Sequence, residues 1–279
     1  MQVSKPVNLR GKQVLVTGGS KGVGAAMANE FSSRGARVTL AARPSDQLNA
    51  VAASTGSTAS PLDLADFDAL DGFISRVEKA NGPIDVLVNN AALVTAGRID
   101  SVSRSDLQTQ INVNLLAPME LCRQALPGML ERGGGTVVNV SSMVAELGIP
   151  NLPAYVAAKA GLTKFTLDLQ GDLRRSRDDV AVLLVVLGEI PGTQINSGFR
   201  EDPAVSALAD KFGKLPVLSP ELVARTVADR VALRQTSTLV LPRYNAPIVG
   251  WRHSPIRLTN RLASSDSSGR RTEVPPATR

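Results

Sequence analysis

Short runs of apolar, often β-branched residues alternate along this chain with longer stretches in which apolar residues recur every three or four positions. The short runs lack polar alternation, which is typical of strands buried on both faces of a parallel sheet. The longer stretches have helical spacing. This repeated strand–helix alternation predicts a doubly wound α/β fold with a parallel sheet between two helical layers, as in a Rossmann fold.

The same pattern predicts six strands and five helices before residue 245. The predicted strands span residues 13–17, 37–42, 84–88, 136–140, 180–187 and 238–241. The predicted helices span residues 22–34, 66–79, 105–131, 154–174 and 222–233. Pro118 and Pro127 are expected to bend or shorten the third helix. No linker interrupts residues 8–245, so we expect one domain there, followed by a flexible Ser/Pro-rich tail over residues 246–279.

The composition, 43% hydrophobic and 20% charged, is that of a globular protein. Six arginines against two acidic residues place +4 of the net charge of +6 beyond residue 251. A nucleic-acid-binding protein concentrates positive charge on its folded face. The charge therefore predicts a solvated basic tail and no nucleic-acid partner.

Several protein classes are disfavoured by what the sequence lacks. No apolar run approaches the ~20 residues that span a bilayer, and the first ten residues show no apolar signal-peptide core. Cys122 is the only cysteine and His253 the only histidine. We therefore expect no intrachain disulfide, no bound metal and no Ser-His-Asp triad, in a cytoplasmic protein.

The first predicted strand runs directly into a glycine-rich turn. The turn consists of Thr17, Gly18, Gly19, Ser20, Lys21, Gly22, Val23 and Gly24. Glycines allow the backbone to turn tightly and to approach a phosphate, and the following helix offers free N–H groups to a diphosphate. Because a strand precedes the turn and a helix follows it, the turn predicts dinucleotide binding.

The end of the second strand indicates which dinucleotide is bound. NAD sites usually carry a carboxylate there that accepts a hydrogen bond from the ribose 2′-hydroxyl. This strand ends in Ala42 and Arg43, with no carboxylate, and Lys21 lies in the nearby glycine turn. Two cations favour a 2′-phosphate. The sequence therefore predicts NADP(H), with NAD(H) as the alternative cofactor.

Tyr155 and Lys159 lie four positions apart in a predicted helix, on one face. An ordinary phenol, with a pKa near ~10, is a poor base at neutral pH. A nearby ammonium lowers that pKa, so Tyr155 is expected to exchange a proton with an alcohol or carbonyl while a nicotinamide exchanges hydride.

A serine at the end of the fourth predicted strand strengthens this hypothesis. Strand ends at the carboxyl edge of such a sheet line the ligand crevice. Ser142 lies there, thirteen residues before Tyr155, where its hydroxyl can hold a substrate oxygen. Ser141 is the competing candidate.

Together these residues resemble the short-chain dehydrogenase/reductase superfamily in its short, single-domain form. The resemblance covers residues 8–245 and rests on the glycine turn, on Asn-Asn-Ala-Ala at residues 89–92, and on Ser142 with Tyr-Val-Ala-Ala-Lys at residues 155–159. It implies a catalytic tetrad of Asn114, Ser142, Tyr155 and Lys159. Asn114, with Asn112 as the weaker candidate, would hold a water that links the lysine to a proton relay.

The resemblance also implies further cofactor contacts. Lys159 would bind the nicotinamide ribose and Asp63 and Leu64 the adenine, while Asn90 and Ala91 would follow the strand beside the adenosine ribose. Gly188 and Ile190 would face the cofactor after the strand at residues 180–187. The family usually has Pro-Gly at this point, followed closely by a threonine that contacts the cofactor. Here Pro-Gly is displaced to residues 191–192, and Thr193 would be the threonine that contacts the cofactor.

Residues 192–216 are expected to form a partly apolar lid over a small carbonyl or alcohol substrate. The resemblance implies a homodimer or homotetramer built on the helices that carry Asn114 and Tyr155. Two rival hypotheses keep the cofactor but change the role: an epimerase or dehydratase acting through a transient ketone, and a non-catalytic nucleotide sensor or scaffold. The substrate and the direction of the reaction do not follow from the sequence.

Overall fold

The computed structural model describes residues 6–147, 149–176, 178–190, 218–251 and 253. Within them, seven parallel strands form one sheet in the order β3-β2-β1-β4-β5-β6-β7. The strands are β1 (Gln13–Thr17), β2 (Arg37–Ala42), β3 (Thr58–Pro61), β4 (Val86–Asn89), β5 (Gly135–Ser142), β6 (Val180–Leu187) and β7 (Ser237–Leu241). The predicted doubly wound α/β fold is confirmed.

Helices cover both faces of the sheet. In the described part of the chain they are α1 (Gly22–Ser33), α2 (Asp46–Thr55), α3 (Phe67–Leu70), α4 (Phe73–Asn81), α5 (Arg104–Ile111), α6 (Ala117–Glu131), α7 (Val144–Leu147), α8 (Pro153–Ser176) and α9 (Pro220–Ala232). A π-helical turn, Asn112–Leu116, joins α5 to α6, and a short 3₁₀ turn, Arg243–Asn245, follows β7.

The strand β1 shows why the apolar runs become central strands. Val14 and Val16 pack into one apolar cluster that includes Phe31 of α1. Leu15 packs into a second cluster, on the opposite face, that includes Leu121 of α6. All five side chains are fully buried. A strand enclosed on both faces has no place for polar alternation.

The prediction of one helix over residues 66–79 is wrong in one respect, because the structure has two shorter helices there, α3 and α4. Asp66 caps the short helix α3 by accepting hydrogen bonds from the backbone N–H groups of Asp68 and Ala69. Gly72 then adopts a left-handed conformation (φ +61°) before α4 begins. Glycine is favoured in that conformation, and it ends a regular helix.

The structure also contains α2 and β3, which the apolar pattern did not predict. The Ser45 hydroxyl accepts a hydrogen bond from the backbone N–H of Leu48 at 3.2 Å and so caps α2. The helix ends at Gly56, with φ +64°. β3 is short and lies at the edge of the sheet, where fewer of its residues need to be apolar.

The third predicted helix is continuous in its course but not regular. Pro118 lies in the first turn of α6, where its missing N–H costs little, and Pro127 lies inside α6 without ending it. The irregularity is the π-helical turn that carries Asn114. Such turns are frequent at functional sites.

The folded body extends beyond the predicted boundary at residue 245. Residues 246–251 are helical. Val249 is buried in a small cluster with Met143, Val186 and Val240, and His253 is buried as well. The predicted flexible tail therefore does not begin at residue 246, because apolar contacts hold this segment to the sheet; residues 254–279 lie outside the described residues.

Candidate active site

The glycine turn follows β1 at the point where the chain order of the sheet reverses, between β1 and β4. Gly18 has φ +68° and donates its N–H to the Ala41 carbonyl at 2.7 Å. Gly22 (φ +55°) begins α1. Lys21, just before it, is extended, and its side chain does not cap the helix. The turn is therefore built to direct the chain into a helix N-terminus at the ligand crevice of this fold.

Two glycines of the turn leave no room for a side chain. A Cβ on Gly24 would lie 2.1 Å from the Gly18 carbonyl oxygen, and one on Gly19 would lie 2.8 Å from the Leu40 side chain. Because the Gly18 oxygen is a backbone atom, it cannot move aside without changing the turn. This cradle, with its close backbone approach, fits the diphosphate of a dinucleotide.

Thr17 and Asn90 join the ends of β1 and β4. The backbone N–H groups of Asn90 and Ala91 donate to the Thr17 hydroxyl at 3.0 and 3.1 Å. The Asn90 side-chain amide donates to the Thr17 carbonyl at 2.9 Å. These predicted cofactor residues therefore stabilise the walls of the crevice, whatever they contact in a ligand.

Lys21 and Arg43 lie close enough to repel each other. Burial lowers the pKa of the half-buried Lys21, and the charge of the nearby Arg43 guanidinium lowers the pKa further. Arg43 itself is exposed, directly after β2. Two cations held together at this strand end form a site for an anion.

The predicted adenine residues lie in the loop after β3. Leu64 is buried, whereas Asp63 is exposed and accepts a hydrogen bond from the backbone N–H of Ala65 at 2.9 Å. Asn112 donates its side-chain amide to the Ala65 carbonyl at 3.2 Å. Asn112 therefore holds this loop, a different place from that of Asn114.

The two serines at the end of β5 point to different neighbours. The Ser141 hydroxyl is buried against α8, where it donates to the Lys159 carbonyl at 3.1 Å and pairs with the Thr163 hydroxyl at 2.7 Å. Ser142 instead forms a hydrogen bond with the Tyr155 phenol. Successive residues of a strand face opposite sides, which separates the two candidates.

Lys159 lies one helical turn after Tyr155 and is buried with it. Its ammonium donates to the Val140 carbonyl of β5 at 2.9 Å and lies 5.9 Å from the centre of the Tyr155 ring. Burial lowers the pKa of Lys159 to about 7. The helix α8 and the strand β5 therefore bring Ser142, Tyr155 and Lys159 together.

The sequence predicted a lowered pKa for the Tyr155 phenol, and this prediction is wrong for the effect of the protein's own groups. Burial raises the pKa of Tyr155 well above its ordinary value, and the hydrogen bond with Ser142 offsets only part of that effect. Desolvation disfavours the phenolate, because a charged group is less stable away from water. At neutral pH the chain thus presents Tyr155 as an acid.

Asn114 is fully buried on the π-helical turn. Its side-chain oxygen accepts the N–H of Leu93 at 3.0 Å, and its amide donates to the carbonyls of Leu93 and Gln110 at 2.7 and 2.8 Å. Gln110, which the sequence did not single out, similarly accepts the N–H of Thr95 at 3.0 Å. Both amides hold the loop after β4 against the helix.

The segment after β6 is described only as far as Ile190. Gly188 donates its N–H to the Leu241 carbonyl at 2.7 Å, and a Cβ there would lie 2.9 Å from the Pro242 ring. Ile190 is buried. Thr193 and the predicted lid over residues 192–216 lie outside the described residues.

One contact near the site was not predicted at all. His253, which the sequence places in the tail, is buried against Glu146 of α7, four residues after Ser142. The only signal in the sequence was that His253 is the sole histidine. Among the described residues no group of His, Cys, Asp and Glu side chains could hold a metal ion, and none of the helices combines the length and hydrophobicity needed to cross a membrane.

Comparison with known proteins decides the family. A family model for short chain dehydrogenases matches residues 12–204, more than half of the chain. The chain belongs to the short chain dehydrogenase family. It is therefore an NAD(P)-dependent oxidoreductase, as the glycine turn and the resemblance predicted.

Two curated relatives of this short chain dehydrogenase are named for activity on acyl compounds. The ketoacyl reductase HetN of a Nostoc species is 34% identical over 238 residues, which cover 83% of this chain and 79% of HetN. A fatty acyl-CoA reductase of Mycobacterium tuberculosis is 40% identical over 167 residues, which cover 57% of each protein. The second match thus spans little more than half of that relative.

Two solved structures share the fold over most of their length. A metagenomic short-chain oxidoreductase in complex with NADP is 30% identical, with a TM-score of 0.68 over 84% of this chain and 98% of that one. L-Sorbose reductase from Gluconobacter frateurii, complexed with NADPH and L-sorbose, is 25% identical, with a TM-score of 0.74 over 85% and 97%.

Proposed function

We propose that this short chain dehydrogenase interconverts a carbonyl and an alcohol with NADP(H), using Tyr155 as the acid/base. The observation that carries the proposal is the hydrogen bond between Ser142 and the Tyr155 phenol at the carboxyl end of β5. Lys159 lies one turn further along α8. A hydroxyl that holds a substrate oxygen beside a proton donor is what carbonyl reduction requires.

The cofactor assignment rests on charge. Lys21 and Arg43 are close enough to interact, and β2 itself ends without a carboxylate that would repel a 2′-phosphate. The two solved relatives described above hold NADP and NADPH. NAD(H) is the alternative cofactor. The diphosphate would lie against the turn that Gly18, Gly22 and Gly24 form at the N-terminus of α1.

The roles of the side chains follow from their contacts. A bound nicotinamide supplies hydride for reduction or accepts it in oxidation. Ser142 holds the substrate oxygen, and Tyr155, kept protonated by burial, donates its proton to that oxygen as the carbonyl is reduced. By family resemblance, Lys159 would bind the nicotinamide ribose. Asn114 holds the loop after β4 and, by family resemblance, a water in the proton relay.

A substrate screen tests this proposal. Ketones, aldehydes and secondary alcohols are offered with NADPH or NADP, and the absorbance of the reduced cofactor is followed. We expect turnover by the wild type and a large loss of turnover in Tyr155→Phe, which retains NADPH binding. Turnover without net change of reduced cofactor would instead support an epimerase or dehydratase. NADPH binding without turnover of any compound would support a sensor or scaffold.

We also propose a homodimer or homotetramer built on the helices that carry Asn114 and Tyr155. Leu107, Leu116 and Met119 are exposed apolar residues on the first of these helical regions, which supports an interface there. Light scattering after size-exclusion chromatography tests the assembly, and Leu116→Glu is expected to shift it towards monomer. The single domain over residues 8–245 and the cytoplasmic location stay predictions.

A further inference from the structure

A buried polar contact ties the C-terminal segment to the loop that follows Ser142. The His253 Nε2 atom lies 2.8 Å from Glu146 Oε1, and the two residues are 107 positions apart in the chain. Their exposed fractions are 2% and 6%. Removing a carboxylate and an imidazole from water is costly, so such a contact is a poor source of stability alone and well suited to fixing an orientation.

Glu146 belongs to a tightly bonded unit with Ser142. The backbone N–H of Val144 approaches the Ser142 hydroxyl at 3.4 Å. The N–H groups of Glu146 and Leu147 both donate to the Met143 carbonyl, at 3.0 and 3.1 Å. These hydrogen bonds connect the backbone of Glu146 to the backbone that carries Ser142.

His253 in turn belongs to a segment that is anchored on the sheet. Residues 246–251 are helical, and Val249 is buried against Met143, Val186 and Val240. Met143 also donates its N–H to the Leu187 carbonyl of β6 at 2.8 Å. The apolar contact sets the position of the segment, and the Glu146–His253 contact adds a directional bond that apolar packing does not provide.

We propose that Glu146 and His253 are positioning residues: through His253, the C-terminal segment fixes α7 and thereby aims the Ser142 hydroxyl at the substrate oxygen. The inference rests on the proposed function, because it gives Ser142 a role in holding substrate. The proposal gives the region after β7 a role in positioning the substrate and no role in binding the cofactor.

The first test measures the loop without any substrate. Hydrogen–deuterium exchange of the peptide covering residues 142–147 is compared in the wild type, His253→Ala and His253→Gln. We expect faster exchange in His253→Ala and near wild-type exchange in His253→Gln, because the glutamine amide can still donate to Glu146. Trp251, the only tryptophan, reports the docking of the segment through a lower fluorescence anisotropy in His253→Ala.

The second test uses ethyl acetoacetate as the carbonyl probe, with NADPH. We expect His253→Ala and Glu146→Ala to lower kcat/KM for the probe by about 10-fold to 100-fold, the range for a misplaced positioning group. The Kd of NADPH should stay unchanged. His253→Gln and Glu146→Gln, which keep a hydrogen bond, should recover most of the activity. A general loss of folding would move the cofactor Kd as well.

A control variant removes a second ion pair with a similar N···O distance, which lies outside residues 142–147. Lys164 and Asp168 are paired at 2.7 Å on the exposed side of α8. Asp168→Ala should leave the exchange of residues 142–147 and kcat/KM unchanged.

Three results would overturn the inference. Unchanged exchange in His253→Ala is one, and faster exchange with unchanged kcat/KM is another. The third is a fall in melting temperature with parallel loss of NADPH affinity, which indicates a merely structural contact. If the wild type binds NADPH but reduces no carbonyl, the proposed function fails, while the exchange and anisotropy measurements still decide whether His253 fixes the loop.

Discussion

The glycine turn with Arg43 and the Ser142–Tyr155 region are held by different kinds of contact. In the turn, the critical distances join backbone atoms, and the charged side chains are exposed or half-buried. In the Ser142–Tyr155 region, the critical contacts join buried polar side chains of β5 and α8. The properties of the first region depend on space and charge, and those of the second depend on the burial of polar side chains.

This difference separates binding from chemistry. A change in the turn should alter how tightly the nucleotide binds, because it changes the cradle or its charge. A change beside Tyr155 should alter proton transfer and leave the cradle intact, because the two regions are held by different contacts. The following four predictions test that separation, from the largest expected effect to the smallest.

Tyr155→Phe should lower kcat by about 10³-fold, within the usual contribution of a general acid. The phenyl ring keeps the shape of the buried side chain and loses only the hydroxyl that contacts Ser142. The Kd of NADPH, measured by fluorescence titration, should therefore stay near the wild-type value. Retained turnover would remove Tyr155 from the chemistry.

Arg43→Asp should weaken NADPH binding by about 100-fold and NADH binding far less, since a charge-assisted hydrogen bond contributes about 1.5–3 kcal/mol. Arg43 lies beside Lys21 and is exposed, so the fold should tolerate the change. Arg43→Ala, which adds no repulsion, is the intermediate control. Equal losses for both cofactors would show that Arg43 does not contact the 2′-phosphate.

Gly24→Ala should weaken NADPH and NADH equally, by roughly 10-fold to 100-fold, corresponding to the 1–3 kcal/mol typical of overpacking. The added Cβ would lie 2.1 Å from the Gly18 carbonyl oxygen and force the turn apart. Gly250→Ala is the control, because no heavy atom lies within 4 Å of its Cβ position. Isothermal titration with both cofactors checks the result, and unchanged affinities would contradict the cradle.

Lys159→Met should change how stability depends on pH. The pKa of Lys159 is about 7 in the fold and near its ordinary 10.5 in the unfolded chain. Between these values the unfolded chain binds more protons, so the stability of the wild type rises with pH. The difference in slope from Lys159→Met should approach about 1.4 kcal/mol per pH unit, the value for one proton.

Urea unfolding from pH 7 to pH 10 measures that slope. The raised pKa of Tyr155 makes stability fall with pH near and above its ordinary value of 10. Both proteins contain Tyr155, so this effect cancels from the difference in slope. Parallel stability curves for the two proteins would contradict the buried, desolvated state of Lys159.

Much of the fold was predictable because the central strands are enclosed on both faces, which leaves unbroken apolar runs such as residues 180–187. The edge strand β3 and the helix α2 were missed because partial exposure removes that signal. The break at Gly72 depends on a single left-handed residue. A periodicity that averages over a whole helix does not detect it.

Features of the site that depend on the spacing of residues along the chain were predictable. Features that depend on which residues pack around a side chain were not. Four positions on a helix place Lys159 one turn from Tyr155 in any fold. The choice between Ser141 and Ser142 required the orientation of β5. The direction of the Tyr155 pKa shift required its burial, which no local pattern reveals.

The sequence by itself determined the doubly wound sheet, the glycine turn and the helix that carries Tyr155, because each depends on periodicity or spacing within a short stretch of chain. Only the tertiary structure decided which serine meets the phenol, that the lysine is desolvated, and that His253 reaches Glu146 across 107 residues. The physical reason is that burial and hydrogen bonding between distant segments are properties of the packed molecule, and they set charge states that no residue possesses alone.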